Sequence, residues 1–124
     1  MHAFIIEDDI LIGESIRDML SDLGFTEFSF ARSEDAAISG AAGRQFDLII
    51  ADAQLLPGNG VKAVEVICKY RRIPVIFVTG FPDQLKDSLE SRFSDPAIVT
   101  KPIQQDALAA AVHKALGKGL RPNA

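Results

Sequence analysis

Four places in this 124-residue chain set a reactive side chain directly after a run of apolar residues. Phe4-Ile5-Ile6 breaks into Glu7-Asp8-Asp9, and Phe46-Asp47-Leu48-Ile49-Ile50-Ala51 breaks into Asp52. Pro74-Val75-Ile76-Phe77-Val78 ends at Thr79-Gly80, and Ala97-Ile98-Val99-Thr100 ends at Lys101. If these junctions meet, four carboxylates, one hydroxyl and one ammonium share one place. Carboxylates so close repel and raise each other's pKa values. A divalent cation removes the conflict, and oxygen donors that leave room for water favour Mg²⁺ or Mn²⁺. An acidic nucleophile, a metal, a lysine and a hydroxyl are the parts phosphoryl transfer requires, with an aspartyl phosphate as the covalent product.

Such a meeting needs a framework, and the hydrophobic periodicity supplies one. Ile12, Ile16, Met19, Leu20 and Leu23 recur on one helical face, and Gly24 follows as a stop. Phe28 and Phe30 alternate with polar and small residues as a short strand. Ser33 before Glu34 and Asp35 reads as the N-cap of a second helix running to Gly40 or Gly43. Pro57, Gly58, Asn59 and Gly60 form a loop, and Val61, Val64, Ile67 and Cys68 mark a third helix. Pro82-Asp83 opens a weaker fourth helix carrying Leu85, Leu89 and Phe93. Leu108, Ala111, Val112, Ala115 and Leu116 form the last stripe, ended by Gly117-Lys118-Gly119.

The order is strand then helix, five times. Strands that are near-continuous Val, Ile and Leu runs imply a parallel sheet covered on both faces. Five of them with right-handed crossovers fit an open, doubly wound α/β sheet. Ligands of such sheets lie outside the carboxyl ends of the strands. That rule brings the four junctions together.

Composition narrows the function classes. The hydrophobic and charged fractions, 48% and 24%, are ordinary for one soluble globular domain. The single cysteine, Cys68, excludes an intrachain disulfide and a Cys-rich zinc site. No apolar run approaches the ~20 residues of a membrane span, and Met1-His2-Ala3-Phe4 lacks a signal peptide's basic region. A cytoplasmic location is expected. The net charge of −4 argues against nucleic-acid and anionic-membrane partners.

On the four junctions taken together, the chain resembles the receiver domain of two-component response regulators over essentially its whole length. The resemblance implies a (βα)5 flavodoxin-like fold with strand order 2-1-3-4-5, a receiver domain over 1–117 and a short tail over 118–124. It implies roles by position. Asp52 is the phosphoacceptor. Asp8, Asp52 and the main-chain carbonyl of Gln54 hold Mg²⁺ or Mn²⁺, with Glu7 acting through water. Gly24, sixteen residues beyond Asp8, sets this register and leaves Asp9 as the variable next residue. Thr79 is the switch hydroxyl and Lys101 the phosphoryl-contacting lysine. Gly60 is the loop glycine, expected to supply a positive φ.

The chain also departs from the family. Leu56 stands where a proline is common, with Pro57 one step later, so a different loop path is expected beside Gln54. Ile98 replaces the aromatic whose rotation accompanies activation. Thr79-Gly80-Phe81-Pro82 resembles a Thr-Gly-aromatic subgroup with members in general stress signalling. Gln54 and Phe81 would border the attacking-water path. Phe81 either shields a phosphoryl group there or packs on the fourth helix. His2, His113 and Cys68 read as structural or exposed side chains.

The resulting expectation is a stand-alone response-regulator receiver that catalyses only its own Mg-dependent phosphorylation and dephosphorylation. A histidine kinase or histidine phosphotransfer protein would be the donor. The signal would leave by contact with an unknown downstream protein, through the fourth helix, fifth strand and fifth helix, and the resemblance allows a homodimer. One alternative is a degenerate receiver that binds protein without phosphorylation. Another is a metal-dependent phosphatase of small molecules, against which the short connections argue.

Overall fold

The computed structural model describes residues 1–55 and 57–117. Leu56 and the tail over 118–124 lie outside the described residues. The elements alternate as expected: β1 (His2–Ile6), α1 (Ile10–Asp22), β2 (Glu27–Ala31), α2 (Glu34–Ala41), β3 (Leu48–Asp52), α3 (Gly60–Ile67), β4 (Val75–Thr79), α4 (Pro82–Glu90), β5 (Ala97–Thr100) and α5 (Gln105–Gly117). The strands form one parallel sheet in the order β2-β1-β3-β4-β5.

Alternation along the strands builds two cores. Phe4, Ile6, Ile49, Ala51 and Phe77 face one side, against Ala37 and Ala41 of α2, Val61 and Val64 of α3, and Leu89 of α4. Ala3, Ile5, Leu48, Ile50, Ile76 and Val78 face the other, against Ile16 and Leu20 of α1 and Leu108 and Val112 of α5. All five residues of β3 are buried, which is why its sequence shows no polar face. Among the described residues, no helix is long and apolar enough to cross a membrane.

Register fixes the carboxyl edge. Ile6, Ala51, Phe77 and Ile98 form one rung, Asp52 pairs with Val78, and Thr79 pairs with Thr100. The ladder continues past the strand ends: Glu7 donates its N–H to Ala31 O at 2.9 Å, and Lys101 donates its N–H to Thr79 O at 2.8 Å. Glu7, Asp52, Thr79 and Lys101 are therefore set by the sheet itself. Order reverses between β1 and β3, so the acids stand at the switch point where open sheets take their ligands.

Element ends differ in detail from expectation. Phe46 precedes β3 and stacks on Phe4, ring centroids 4.6 Å apart, with His2 edge-on at 4.7 Å. Helix α4 stops at Glu90, and Phe93 packs beyond it against Phe77 at 5.3 Å. The largest correction concerns Gly60. The positive φ in its loop belongs to Gly58, at 108°. Gly60 is required for space, since a Cβ there would stand 1.8 Å from Asp52 O. Gly60→Ala should therefore destabilise the protein by about 3 kcal/mol or more, because backbone cannot yield as a side chain does. Gly40→Ala, whose Cβ would meet Phe4 at an ordinary 3.5 Å, should stabilise by about 0.5–1 kcal/mol. Urea unfolding of the two variants checks both signs.

Candidate functional site

The site rests on carboxyl ends of strands joined by short loops. Asp52 is the last residue of β3 and is 5% exposed. Lys101 Nζ donates to Asp52 Oδ2 at 2.8 Å, and the Gln54 N–H donates to Asp52 Oδ1 at 3.0 Å. Both oxygens of this carboxylate are thus held by donors. Glu7 is also 5% exposed. Its Oε2 accepts from the Asp9 N–H at 3.1 Å. Its Oε1 is buried without a hydrogen-bond partner among the described residues and lies 3.5 Å from Lys101 Nζ, an ion pair too long for a good hydrogen bond. Glu7, Asp8 and Asp52 each bring one carboxylate oxygen within 4.8 Å of the others.

The electrostatics follow from this crowding. Burial pushes the Glu7 carboxyl up to about 7 from an ordinary 4.5. The Asp9 N–H opposes that rise, the Asp52 charge and an Asp8 hydrogen bond add to it, and Lys101 opposes it. Burial pulls the Lys101 ammonium down, but the hydrogen bond and charge of Asp52, with the Glu7 carboxylate beside it, outweigh it and leave its pKa raised. Three acids against one ammonium leave an excess of negative charge, and Glu7 Oε1 is an oxygen without a donor. Those donors fit a hard, oxygen-loving divalent cation.

Not every expected group joins the cluster. Asp9, expected as a fourth crowding carboxylate, caps α1: its Oδ1 accepts from Leu11 N–H at 2.9 Å and Ile12 N–H at 3.1 Å. Free donors at a helix start draw in the nearest short carboxylate, a contact worth about 1 kcal/mol. Thr79 is 4% exposed, and its Oγ1 accepts from the Phe81 N–H at 3.0 Å. Phe81 itself is 57% exposed, and Gly80 is exposed beside it. Ile98 lies half-buried in β5 against the α2–α4 core, not at the acids. His2 Nε2 is bonded to Ser29 Oγ at 2.7 Å, His113 is exposed on α5, and burial pushes the half-buried Cys68 thiol up.

Two contacts bracing the site had no local signal. The Arg32 guanidinium donates to the Asp8 carbonyl at 3.3 and 3.4 Å. Glu34 Oε1 accepts from the Asn59 N–H at 2.9 Å, and Asn59 bridges to Gln54 and caps α3. The Asn59 cap could have been read from an Asn placed just before an apolar helical stripe.

Residues 3–113 match the family model of the response regulator receiver domain. The chain belongs to the receiver-domain family. The phyllosphere-induced regulator PhyR of Methylorubrum extorquens is 33% identical over 115 residues, 90% of this chain and 42% of that protein. The receiver domain of Erythrobacter litoralis PhyR superposes with a TM-score of 0.85 at 32% identity, covering 99% of this receiver and 95% of that chain. The anti-anti-sigma factor PhyR of Bartonella quintana superposes with a TM-score of 0.81 at 36% identity, covering 95% of this receiver and 48% of that chain. PhyR is described as a stress response regulator, so these likenesses support the expected stress-signalling subgroup. The chain spans about half the length of the curated relatives it matches.

The raised Glu7 carboxyl has a measurable consequence. A folded pKa above the unfolded value means the folded state binds the proton more tightly. Stability is then full below about 4.5 and falls as pH rises through about 7. In metal-free buffer, Glu7→Gln should melt relatively higher at pH 8 than at pH 5, by several degrees against wild type. A difference in melting temperature that stays constant across this range would contradict the assignment.

Proposed function

We propose that this receiver accepts a phosphoryl group on Asp52 from a histidine kinase or histidine phosphotransfer protein, and signals by contact with a downstream protein. The observation that carries this reading is the Asp52 carboxylate, buried at the switch point, with Lys101 on one oxygen and a backbone N–H on the other. In the proposed transfer, an Asp52 oxygen attacks the phosphorus of a phosphohistidine in line. The P–N bond breaks, the imidazole leaves with the electron pair, and an aspartyl phosphate remains. Lys101 shifts its ammonium from the carboxylate to the incoming phosphoryl oxygens. Asp8, Asp52 and the Gln54 carbonyl would hold Mg²⁺ or Mn²⁺, with Glu7 through water, and the ion would offset charge on the transferring group.

Phosphorylation would then bias a two-state element. Thr79 now accepts from the Phe81 N–H and would turn its hydroxyl toward the phosphate, releasing the start of α4. The output face on this reading is α4, β5 and α5. The anti-anti-sigma description of the Bartonella PhyR supports output by protein contact. The receiver is a signalling module that catalyses only its own phosphorylation and dephosphorylation, in the cytoplasm. Asp52→Asn should abolish labelling by acetyl phosphate or a cognate kinase, read by mass spectrometry. Label retained on a different aspartate would overturn the assignment.

Ile98 favours a second reading, a receiver that binds its partner without phosphorylation. It packs against the core where the family has a mobile aromatic. Beryllofluoride with Mg²⁺, followed by NMR, separates the two. The first reading expects shifts around Asp52 and Thr79 that disappear in Asp8→Ala. No response in the wild-type protein supports the second.

A further inference from the structure

The amino-terminal edge of the sheet, opposite Asp52, holds a cleft of about 800 Å³ between the ends of α3, α4 and α5. We propose that this cleft docks an acidic segment of a partner protein, one that carries apolar side chains between its carboxylates. Charge is the first argument. Five of the chain's 13 basic side chains line the cleft, Lys69, Arg71, Arg72, Arg92 and Lys114, against two of its 17 acids. Glu65 pairs with Arg92 at 3.2 Å and Asp95 with Lys114 at 3.7 Å. Arg71 spends its guanidinium on the carbonyls of Ala41 and Arg44, which carry no full charge. Lys69 and Arg72 are exposed on the rim with no carboxylate partner among the described residues. The cleft is therefore positive on a protein of net charge −4.

Helix dipoles do not account for this cluster. Helix C-termini carry fractional negative charge and favour cations nearby. Of the helices that end at this edge only α5 carries a basic residue in its last turn, Lys114, and the other four cations stand on the segments that follow α3 and α4. The floor is the second argument. Ile73, Val75, Phe93 and Ala97 line it and are only half-buried, so apolar surface stays wet inside a ring of cations. A partner with both carboxylates and apolar side chains answers both features.

Other occupants fit less well. The residues over 118–124 carry Lys118 and Arg121 and no acidic side chain, so they lack the charge that complements the cleft. A second copy docked cleft to cleft would oppose cation to cation. A nucleic acid would meet Glu65 and Asp95 among the cations and the net charge of the whole chain.

The test is a ¹⁵N NMR titration of the full chain with a twelve-residue peptide alternating Glu-Asp pairs with Leu and Phe. Saturable shifts confined to residues 65–75, 92–97 and 114–115 are expected. A Gln-Asn version of the peptide should bind about tenfold more weakly, as should the wild-type peptide to Lys69→Glu/Arg72→Glu. These rim side chains lie away from Asp52, so the response to Mg²⁺ should persist in the double variant and report an intact fold. Absence of saturable binding, or binding indifferent to the double variant, overturns the proposal. So does tighter binding of a thymidine dodecamer at the same residues, or a concentration-dependent dimer that the double variant abolishes.

Discussion

Lys101 reaches across β4 to place its ammonium 2.8 Å from Asp52, 49 residues earlier in the chain. Charges near 4 Å apart interact by roughly 4 kcal/mol at the effective dielectric of a protein surface. Without that ammonium, Asp52 and Glu7 would stand buried beside each other and beside Asp8 with nothing but backbone donors. The contact depends on the β3–β4–β5 register, since one residue of slippage would turn Asp52 or the residue before Lys101 to the other face. It still leaves the site short of positive charge. Glu7 answers by holding its proton to about 7. A divalent cation held by these carboxylates would compete with that proton, which would link metal affinity to protonation through one residue.

The loops around this contact are held by close backbone approach and by two long-range side-chain contacts. Gly60 lets the start of α3 press against the carbonyl of Asp52, and the Gly60 N–H donates to Ala53 O at 3.2 Å. Gly58 takes the positive φ that brings Asn59 under the Glu34 carboxylate. Arg32, two residues before Glu34, grips the carbonyl of Asp8. Arg32 after β2 and Glu34 at the start of α2 therefore brace the loops on both sides of the acids. A site held within fractions of an ångström needs such support when its residues sit on loops.

Much of this could be read from the sequence, for a definite reason. A buried parallel strand is apolar throughout, so a charge at its end marks the carboxyl edge, and topology brings those edges together. Glu7, Asp52, Thr79 and Lys101 were legible on that ground. Asp8 and Asp9 are the same residue type side by side; the family spacing to Gly24 singles out Asp8, and helix geometry adds that Asp9 caps α1. The need for glycine at position 60 arises from a neighbouring carbonyl, not from its own turn, so loop composition suggested the wrong cause. The Arg32 and Glu34 contacts span 24 and 25 residues and leave no periodic trace. Phe93 keeps helical spacing past the end of α4 because its N–H still donates to Leu89 O at 2.8 Å, which sets its ring against Phe77.

The two ends of a parallel sheet are electrically unlike. Helix N-termini crowd the carboxyl edge and helix C-termini the amino edge, which favours acids at the first and cations at the second without selecting the cleft among the helix ends there. The net charge of −4 averages over that polarity and hides it. Phosphorylation of Asp52 would replace a carboxylate of charge −1 by an acyl phosphate of about −1.5 to −2, a net gain of about −0.5 to −1 at the edge that is already acidic. The five residues of β4 put the basic cleft roughly 16 Å away. That exceeds the ~8 Å screening length at physiological salt, so the phosphate's field acting through solvent would barely reach the cleft. Communication between the edges would have to be mechanical. The path available is β4 itself, which carries Thr79 at one end and Val75 of the cleft floor at the other, with Phe77 between them packed on Phe93.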